Sequence, residues 1–109
     1  MRRANVYCRG VLAGLLSKDQ ASGYRFQYEP DYLSNFRCPP ISLSFPKQET
    51  QVESPVLFPF FFGLLAEGDD KLLQCRVLKI DEDDHFTRLL KTCETETIGG
   101  VTVMEVVPA

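Results

Sequence analysis

The stretch from Phe58 to Gly68 reads FPFFFGLLAEG and contains four phenylalanines within five residues. A concentration of this kind is typical of a membrane segment, a buried core helix or a surface that a partner covers. The apolar run from Pro55 to Ala66 is much shorter than the roughly 20 residues that a membrane-spanning helix needs. We therefore expect no membrane segment, and the choice lies between core and interface.

The position of Pro59 predicts where a helix begins. Proline disfavours helical geometry at the residue before it, here Phe58, and fits the first position of a helix. The helix is predicted to run to Ala66 or Glu67, after which Gly68 can adopt the left-handed conformation that ends helices.

Helical spacing divides the apolar side chains of this segment between two faces. On a helix that starts at Pro59, the apolar surface extends too far around for a small sheet to cover it completely. The residues predicted to lie in the core are Phe61, Leu64 and Leu65. Phe60 or Phe62, together with the turn that follows, is predicted to face outward. The candidate partner interface comprises Phe60, Phe62, Ala66, Glu67, Gly68 and Asp69.

Three extended segments in the first thirty residues predict an antiparallel meander. They are Asn5–Tyr7 with its neighbours, VLAGLLSKD (11–19) and GYRFQYEP (23–30), separated by turns at RG and QASG. In the third segment Tyr24, Phe26 and Tyr28 alternate with polar residues, so the aromatic face should lie inward. A last strand is predicted in TIGGVTVMEVV (97–107), after its Gly-Gly turn.

The remaining segments predict short helices and irregular connections. PDYLSN (30–35) should form a turn or one helical turn, ISLSF (41–45) an edge strand, and residues 47–54 a mobile loop. A second helix, capped by Asp69 or Asp70, has an approximate apolar face made by Leu72, Leu73, Val77 and Ile80. A third follows the acidic run DEDD, which favours a helix N-terminus. Its regularly spaced apolar residues are Phe86, Leu89, Leu90 and Cys93.

Strands first, then helices, then a returning strand indicate an α+β fold. We expect a small, mainly antiparallel sheet, made of the N-terminal meander and the C-terminal strand, with two or three short helices between residues 59 and 93. With 109 residues, the chain is expected to form one domain over residues 1–109.

Composition narrows the class of partner. Charged residues make up 25% of the chain and the net charge is −3, which favours a cytoplasmic protein without direct nucleic-acid binding. The four cysteines match no zinc or disulfide spacing, so we interpret them as free, mostly buried thiols; they are Cys8, Cys38, Cys75 and Cys93.

The sequence offers little for catalysis. His85 is the one histidine, and its acidic neighbours favour a surface position over a role as catalytic base. DEDDH departs from the calcium-loop pattern, and no glycine-rich phosphate motif occurs, so we expect no enzyme and no cofactor or metal. Glu67 can be either a solvated residue at a helix end or a polar contact to a partner.

Five motifs in order resemble the first N-terminal subdomain of HipA-type serine/threonine kinase toxins. They are GVLAGLL (10–16), GYRFQYEPDYL (23–33), PPISLSFP (39–46), FFFGLLAEG (60–68) and TIGGVTV (97–103). Order and spacing agree from about residue 4 to 107. The family fuses this subdomain to a kinase body, and some bacterial toxin–antitoxin systems of the HipB–HipS–HipT kind encode it as a separate small protein.

The resemblance implies a non-catalytic partner of a shortened HipA-like kinase encoded nearby, acting as antitoxin or regulator. A DNA-binding HipB-like subunit would be reached through the complex. Ala66 stands where the family commonly has proline, and Asp69 where an aromatic residue could probe the kinase. The chain has no tryptophan, so it cannot block the active site with an indole. The alternatives are a subunit that completes the kinase for folding or activity, and a small stand-alone enzyme or ligand-binding domain.

Overall fold

An antiparallel sheet with short helices forms the framework of the protein. The computed structural model describes residues 2–19, 23–41, 45–49, 51–65, 67–93 and 100–106. These residues form strands β1 (Arg2–Cys8), β2 (Val11–Asp19), β3 (Gly23–Tyr28), β4 (Val52–Ser54) and β5 (Val101–Glu105). Their helices are α1 (Pro30–Ser34), α2 (Pro59–Phe62), α3 (Gly68–Leu78) and α4 (His85–Thr92). The predicted α+β class is confirmed.

The predicted meander and returning strand are also confirmed. The strand order in the sheet is β4-β3-β2-β1-β5, and neighbouring strands are antiparallel. Arg9 and Gly10 connect β1 to β2 with φ values of 52° and 83°, as the tightest hairpin turns require. The Arg9 N–H donates to the Gly100 carbonyl at 2.7 Å, which joins this hairpin to the start of β5.

The aromatic face of β3 lies in the core, as its alternation predicts. Tyr24, Phe26 and Tyr28 are all buried. On the other face, Arg25 forms ion pairs with Asp19 and Glu53 at 3.9 and 3.4 Å. The period-two pattern of this strand thus separates a packed face from a charged one.

Helix α4 covers the core as its spacing predicts. Its apolar residues are buried, namely Phe86, Leu89 and Leu90, followed by Cys93 just beyond the helix. Asp84 precedes the helix and its carboxylate accepts a hydrogen bond from the Thr87 N–H at 3.1 Å. The acidic run therefore provides the N-cap of α4.

The loop predicted for residues 47–54 is wrong in its last part. Val52–Ser54 form β4, which pairs with β3 along one edge of the sheet. The exposed edge of β3 offers free backbone donors and acceptors, and pairing with β4 satisfies them despite its polar sequence. Of the edge strand predicted for residues 41–45, the central three lie outside the described residues.

The helix that starts at Pro59 is shorter than predicted. It begins there but ends at Phe62 rather than at residue 66 or 67. The Leu64 and Leu65 N–H groups donate to carbonyls only three residues back, at 3.1 Å each. These tighter turns end the regular helix because they rotate the chain and carry Leu65 into the core.

The start of α3 also differs from the prediction. Neither Asp69 nor Asp70 caps it; both lie in its first turn, and Glu67 precedes the helix without a side-chain cap. Gly68 does have a left-handed backbone, with φ of 60°, but it begins α3 instead of ending α2. The positive end of the helix dipole favours both aspartates in this first turn.

Candidate functional site

The FPFFFGLL segment places most of its aromatic rings in one buried cluster. The Phe45 ring lies at the centre of this cluster, with ring centroids 5.0 Å from Phe58 and 5.7 Å from Phe61. Phe60 is half-buried and packs edge-on against Phe45 at 6.1 Å. Phe61 is fully buried, as predicted, and Leu65 is buried as well. These rings anchor α2 to the sheet.

Phe62 points away from that cluster. Its side chain is 40% exposed, whereas Phe58 and Phe61 are buried. Of the two residues predicted as alternatives for the outward position, Phe62 is the one that faces outward. Phe60 mainly contacts the core. Leu64, predicted to be core, is half-buried and packs against it.

His85 packs against the exposed Phe62. The two rings meet edge to face with centroids 5.1 Å apart. Burial lowers the pKa of His85, and the positive charges of Arg88 and Lys71 lower it further. Arg88 Nη1 lies 3.0 Å from His85 Nδ1, and a guanidinium can only donate, so the imidazole is neutral and accepts. Phe62 and His85 thus form an uncharged patch.

The predicted interface turn is exposed beside α2. Glu67, Gly68 and Asp69 are all exposed, while Ala66 lies outside the described residues. Lys71, one helical turn beyond Glu67, is close enough to His85 to influence its pKa. The turn and the patch of Phe62 and His85 therefore lie in the same region of the surface.

Helix α3 exposes most of its apolar side chains, which the sequence did not predict. Cys75 is its one buried residue, and all residues of this helix are described. The exposed side chains form what we call the α3 ridge: Leu72 (50% exposed), Leu73 (60%), Val77 (68%) and Leu78 (43%). The sequence predicted an approximate apolar face made by Leu72, Leu73, Val77 and Ile80; the first three are exposed, and Ile80 lies beyond the end of the helix and is half-buried. The spacing of the exposed residues could have indicated this exposure. They occupy several sides of the helix, and a single contact with the core cannot cover all of those sides.

Acidic groups lie at both ends of the α3 ridge. Three exposed carboxylates precede or begin the helix, those of Glu67, Asp69 and Asp70, and three follow it at 81–83. The segment from 67 to 83 holds six acidic and three basic residues, whereas the rest of the chain holds nine of each. The net charge of −3 is therefore concentrated around this helix.

Two surface depressions lined by described residues lack a set of catalytic groups. A depression of about 530 Å³ on α3 has a single ionisable lining residue, Asp70, beside Leu73, Gln74, Val77 and Leu78. A smaller cleft of about 290 Å³ near α1 includes Cys38 with two carboxylates, Glu29 and Asp31, but no histidine. In the part of the chain that the structure describes, no group of three or more acidic, histidine or cysteine residues could hold a metal ion.

The four cysteines are free thiols and mostly buried, as predicted. Cys8, Cys75 and Cys93 are buried and Cys38 is half-buried. Burial raises the pKa of the Cys93 thiol, so this thiol stays protonated and unreactive at neutral pH. Across the described ranges, no helix is long and apolar enough to cross a bilayer.

Comparison with known proteins identifies the family. The model of the HipA N-terminal domain matches residues 4–104 of this chain. The chain belongs to the HipA N-terminal domain family. A solved structure described as the N-terminal domain of HipA toxin is 32% identical, with a TM-score of 0.74; the alignment covers 100% of this chain and 96% of that one. The predicted resemblance is confirmed.

Two curated relatives match this chain over very different shares of their own length. An uncharacterized protein of Haemophilus influenzae is 37% identical over 105 residues, which are 96% of this chain and 93% of that protein. A protein of Sinorhizobium fredii named "Putative kinase Y4mE" is 28% identical over 89 residues, which are 82% of this chain but only 21% of that protein. The chain resembles the N-terminal domain alone and not a kinase catalytic domain.

Proposed function

We propose that this protein is a non-catalytic partner of a HipA-like kinase that lacks its own N-terminal domain. The observation that carries the proposal is the extent of the match. The matching region makes up 93% of the Haemophilus influenzae protein that this chain resembles, whereas it makes up 21% of the Sinorhizobium protein that is named as a kinase. A kinase without this domain would have a complementary surface for it.

The surface around α2 supports this proposal. Phe62 and His85 form an uncharged patch, and exposed Glu67 to Asp69 lie beside it. Aromatic residues at an exposed surface are favoured in protein interfaces because they bury a large area with few rotatable bonds. Glu67 then acts as a polar contact to the kinase and not merely as a solvated residue.

The role we assign is that of antitoxin or regulator in a cytoplasmic toxin–antitoxin system. The described residues do not gather catalytic groups, so the effect on the kinase comes from binding. A DNA-binding HipB-like subunit would join through the kinase, since the net charge of −3 disfavours direct contact with nucleic acid.

A growth assay tests this role. The nearby kinase is induced with and without this protein, and we expect growth arrest only in its absence. Equal arrest in both strains, with no complex on size exclusion, would refute the proposal. Phosphotransfer by the purified kinase, alone and in the complex, distinguishes an antitoxin from a subunit that completes the kinase. Kinase activity that falls in the complex indicates an antitoxin. Kinase activity that appears only in the complex indicates a completing subunit.

A further inference from the structure

We propose that the α3 ridge docks into an apolar groove rimmed by lysine and arginine side chains on the kinase. This inference rests on the proposed function and specifies which surface is used and what chemistry the partner surface has. The ridge shares no residue with the patch of Phe62 and His85, and the sequence did not predict the ridge as an interface.

Helix α3 exposes more apolar side chains than is usual for a surface helix, and this exposure favours a partner that covers them. Single exposed apolar residues are common on protein surfaces, but here four lie on one helix of 11 residues. Leu73 and Val77 are one helical turn apart and therefore adjacent, and they line the depression on α3. This pair, with Leu72 and Leu78 to either side of it around the helix, gives the ridge a central apolar strip that a groove on a partner can receive.

The net negative charge of the segment from 67 to 83 favours a partner with basic groups. Exposed carboxylates stand at both ends of the ridge, and the segment from 67 to 83 carries the entire net charge of the chain. An apolar groove with a basic rim would complement both features, and opposite charges would also accelerate association. A neutral or acidic rim would leave these carboxylates unpaired or repelled.

The same charges argue against a second copy of this chain as the occupant. Two α3 helices packed against each other would bring together two segments that each carry six acidic and three basic residues, so the contact would join two surfaces of the same net negative charge. The ridge also offers four large side chains, whereas stable interfaces commonly use about 20–30 residues on each side. A kinase can add contacts to Phe62 and the adjacent turn.

The test measures binding of the full chain to the purified kinase by calorimetry. The ridge variant carries Leu73→Glu and Val77→Glu. The matched control carries Val11→Glu and Met104→Glu, which place two new charges at other apolar positions with 47% and 49% exposure. We expect the ridge variant to weaken binding by about 30-fold or more and the control by less than about 3-fold. Both variants should melt close to the wild type, because all four side chains are exposed.

The basic rim is tested with a second variant and with salt. Replacing Asp69→Lys and Asp70→Lys should weaken binding about 10-fold at low salt, and the difference should shrink above roughly 0.3 M salt as charges are screened. Binding by this variant that equals the wild type at every salt concentration would rule out the basic rim.

The outcomes separate this inference from the proposed function. Suppose that the wild-type chain binds the kinase. If the ridge variant then binds equally well, or if the control loses as much affinity as the ridge variant, docking through the ridge is refuted and the proposed function remains intact. No binding by the wild type removes both. Sedimentation of the chain alone gives a further outcome: a dimer that dissociates in the ridge variant would show that a second copy occupies the ridge.

Discussion

At the scale of single residues, Gly14 and Asp84 have the most clearly defined roles. Gly14 pairs with Tyr28 across β2 and β3, where the neighbouring strand and the Phe26 ring approach closely. Asp84 caps α4, the helix that covers the core and carries His85 at its start. Gly14 acts by leaving room between β2 and β3, and Asp84 acts through its carboxylate, which accepts hydrogen bonds from Thr87.

Replacing Gly14 by alanine should destabilise the fold. A Cβ there would lie 2.5 Å from the Gln27 carbonyl oxygen and 2.7 Å from the Phe26 ring, and that ring is buried and cannot move freely. We expect Gly14→Ala to lower the free energy of unfolding by about 1–3 kcal/mol, measured by urea denaturation. Gly63→Ala is the control, because its Cβ would approach no atom closer than 3.3 Å. Equal stability of the two variants would contradict the packing described.

Replacing Asp84 by alanine should remove a pH-dependent contribution to stability. Burial alone would raise the pKa of Asp84, but hydrogen bonds from the Thr87 hydroxyl and N–H and nearby positive charges outweigh it and lower the pKa below 3.8. The folded state thus favours the carboxylate, so the stabilisation is present above pH 3.8 and is lost as the pH falls through the lowered pKa.

We expect Asp84→Ala to cost about 1 kcal/mol at neutral pH, as for other N-caps. The difference from the wild type should diminish in unfolding curves taken at progressively lower pH in the acid range. Asp83→Ala is the matched control, because Asp83 is exposed and its side chain does not cap the helix. A loss of stability by both variants to the same degree would argue against the cap.

At the scale of elements, local patterns predicted some segments well and failed on others for identifiable reasons. The alternation in β3 and the spacing in α4 determine which face is buried, because each pattern matches the period of its own element. The local sequence does not predict strand β4, because its three residues are extended only through their pairing with β3. The end of α2 was misplaced because burial of Leu65 in the folded core redirects the chain.

Helix α3 is the element where sequence reasoning missed most. Its pattern predicted one apolar face, from Leu72 to Ile80, but the one buried residue of the helix is Cys75. Which side of a helix meets the core depends on the path of the loops before and after it, and that information is not local. The candidate interface was therefore placed at Phe62 and the turn, without the ridge beside it.

Two truncations should reveal how differently α2 and α3 contribute to stability. Phe61→Ala removes a fully buried ring and should cost about 3–5 kcal/mol. Leu73→Ala removes a side chain that is 60% exposed and should change the unfolding free energy by less than about 0.5 kcal/mol. Chemical denaturation of both variants measures the contrast, and a cost above 2 kcal/mol for Leu73→Ala would mean that α3 packs its ridge inward.

At the scale of the whole molecule, the sheet and the aromatic cluster form a stable body, and the charged, exposed helix α3 lies on its surface. The exposed turn of Glu67–Asp69 follows Phe62 closely along the chain and leads into α3, so the acidic segment begins near the uncharged patch of Phe62 and His85. One partner can therefore contact both. This arrangement suits the binding to a kinase that we propose for this member of the HipA N-terminal domain family.

The central claim is that this protein forms the complex that we propose, with a HipA-like kinase that lacks its own N-terminal domain. Size exclusion with light scattering measures it directly, since the chain has a mass of 12.4 kDa and a one-to-one complex would exceed the kinase mass by that amount. We predict a single peak with this added mass, and loss of the peak for the variant with Leu73→Glu and Val77→Glu. Separate elution of the two wild-type proteins at micromolar concentration would contradict the account.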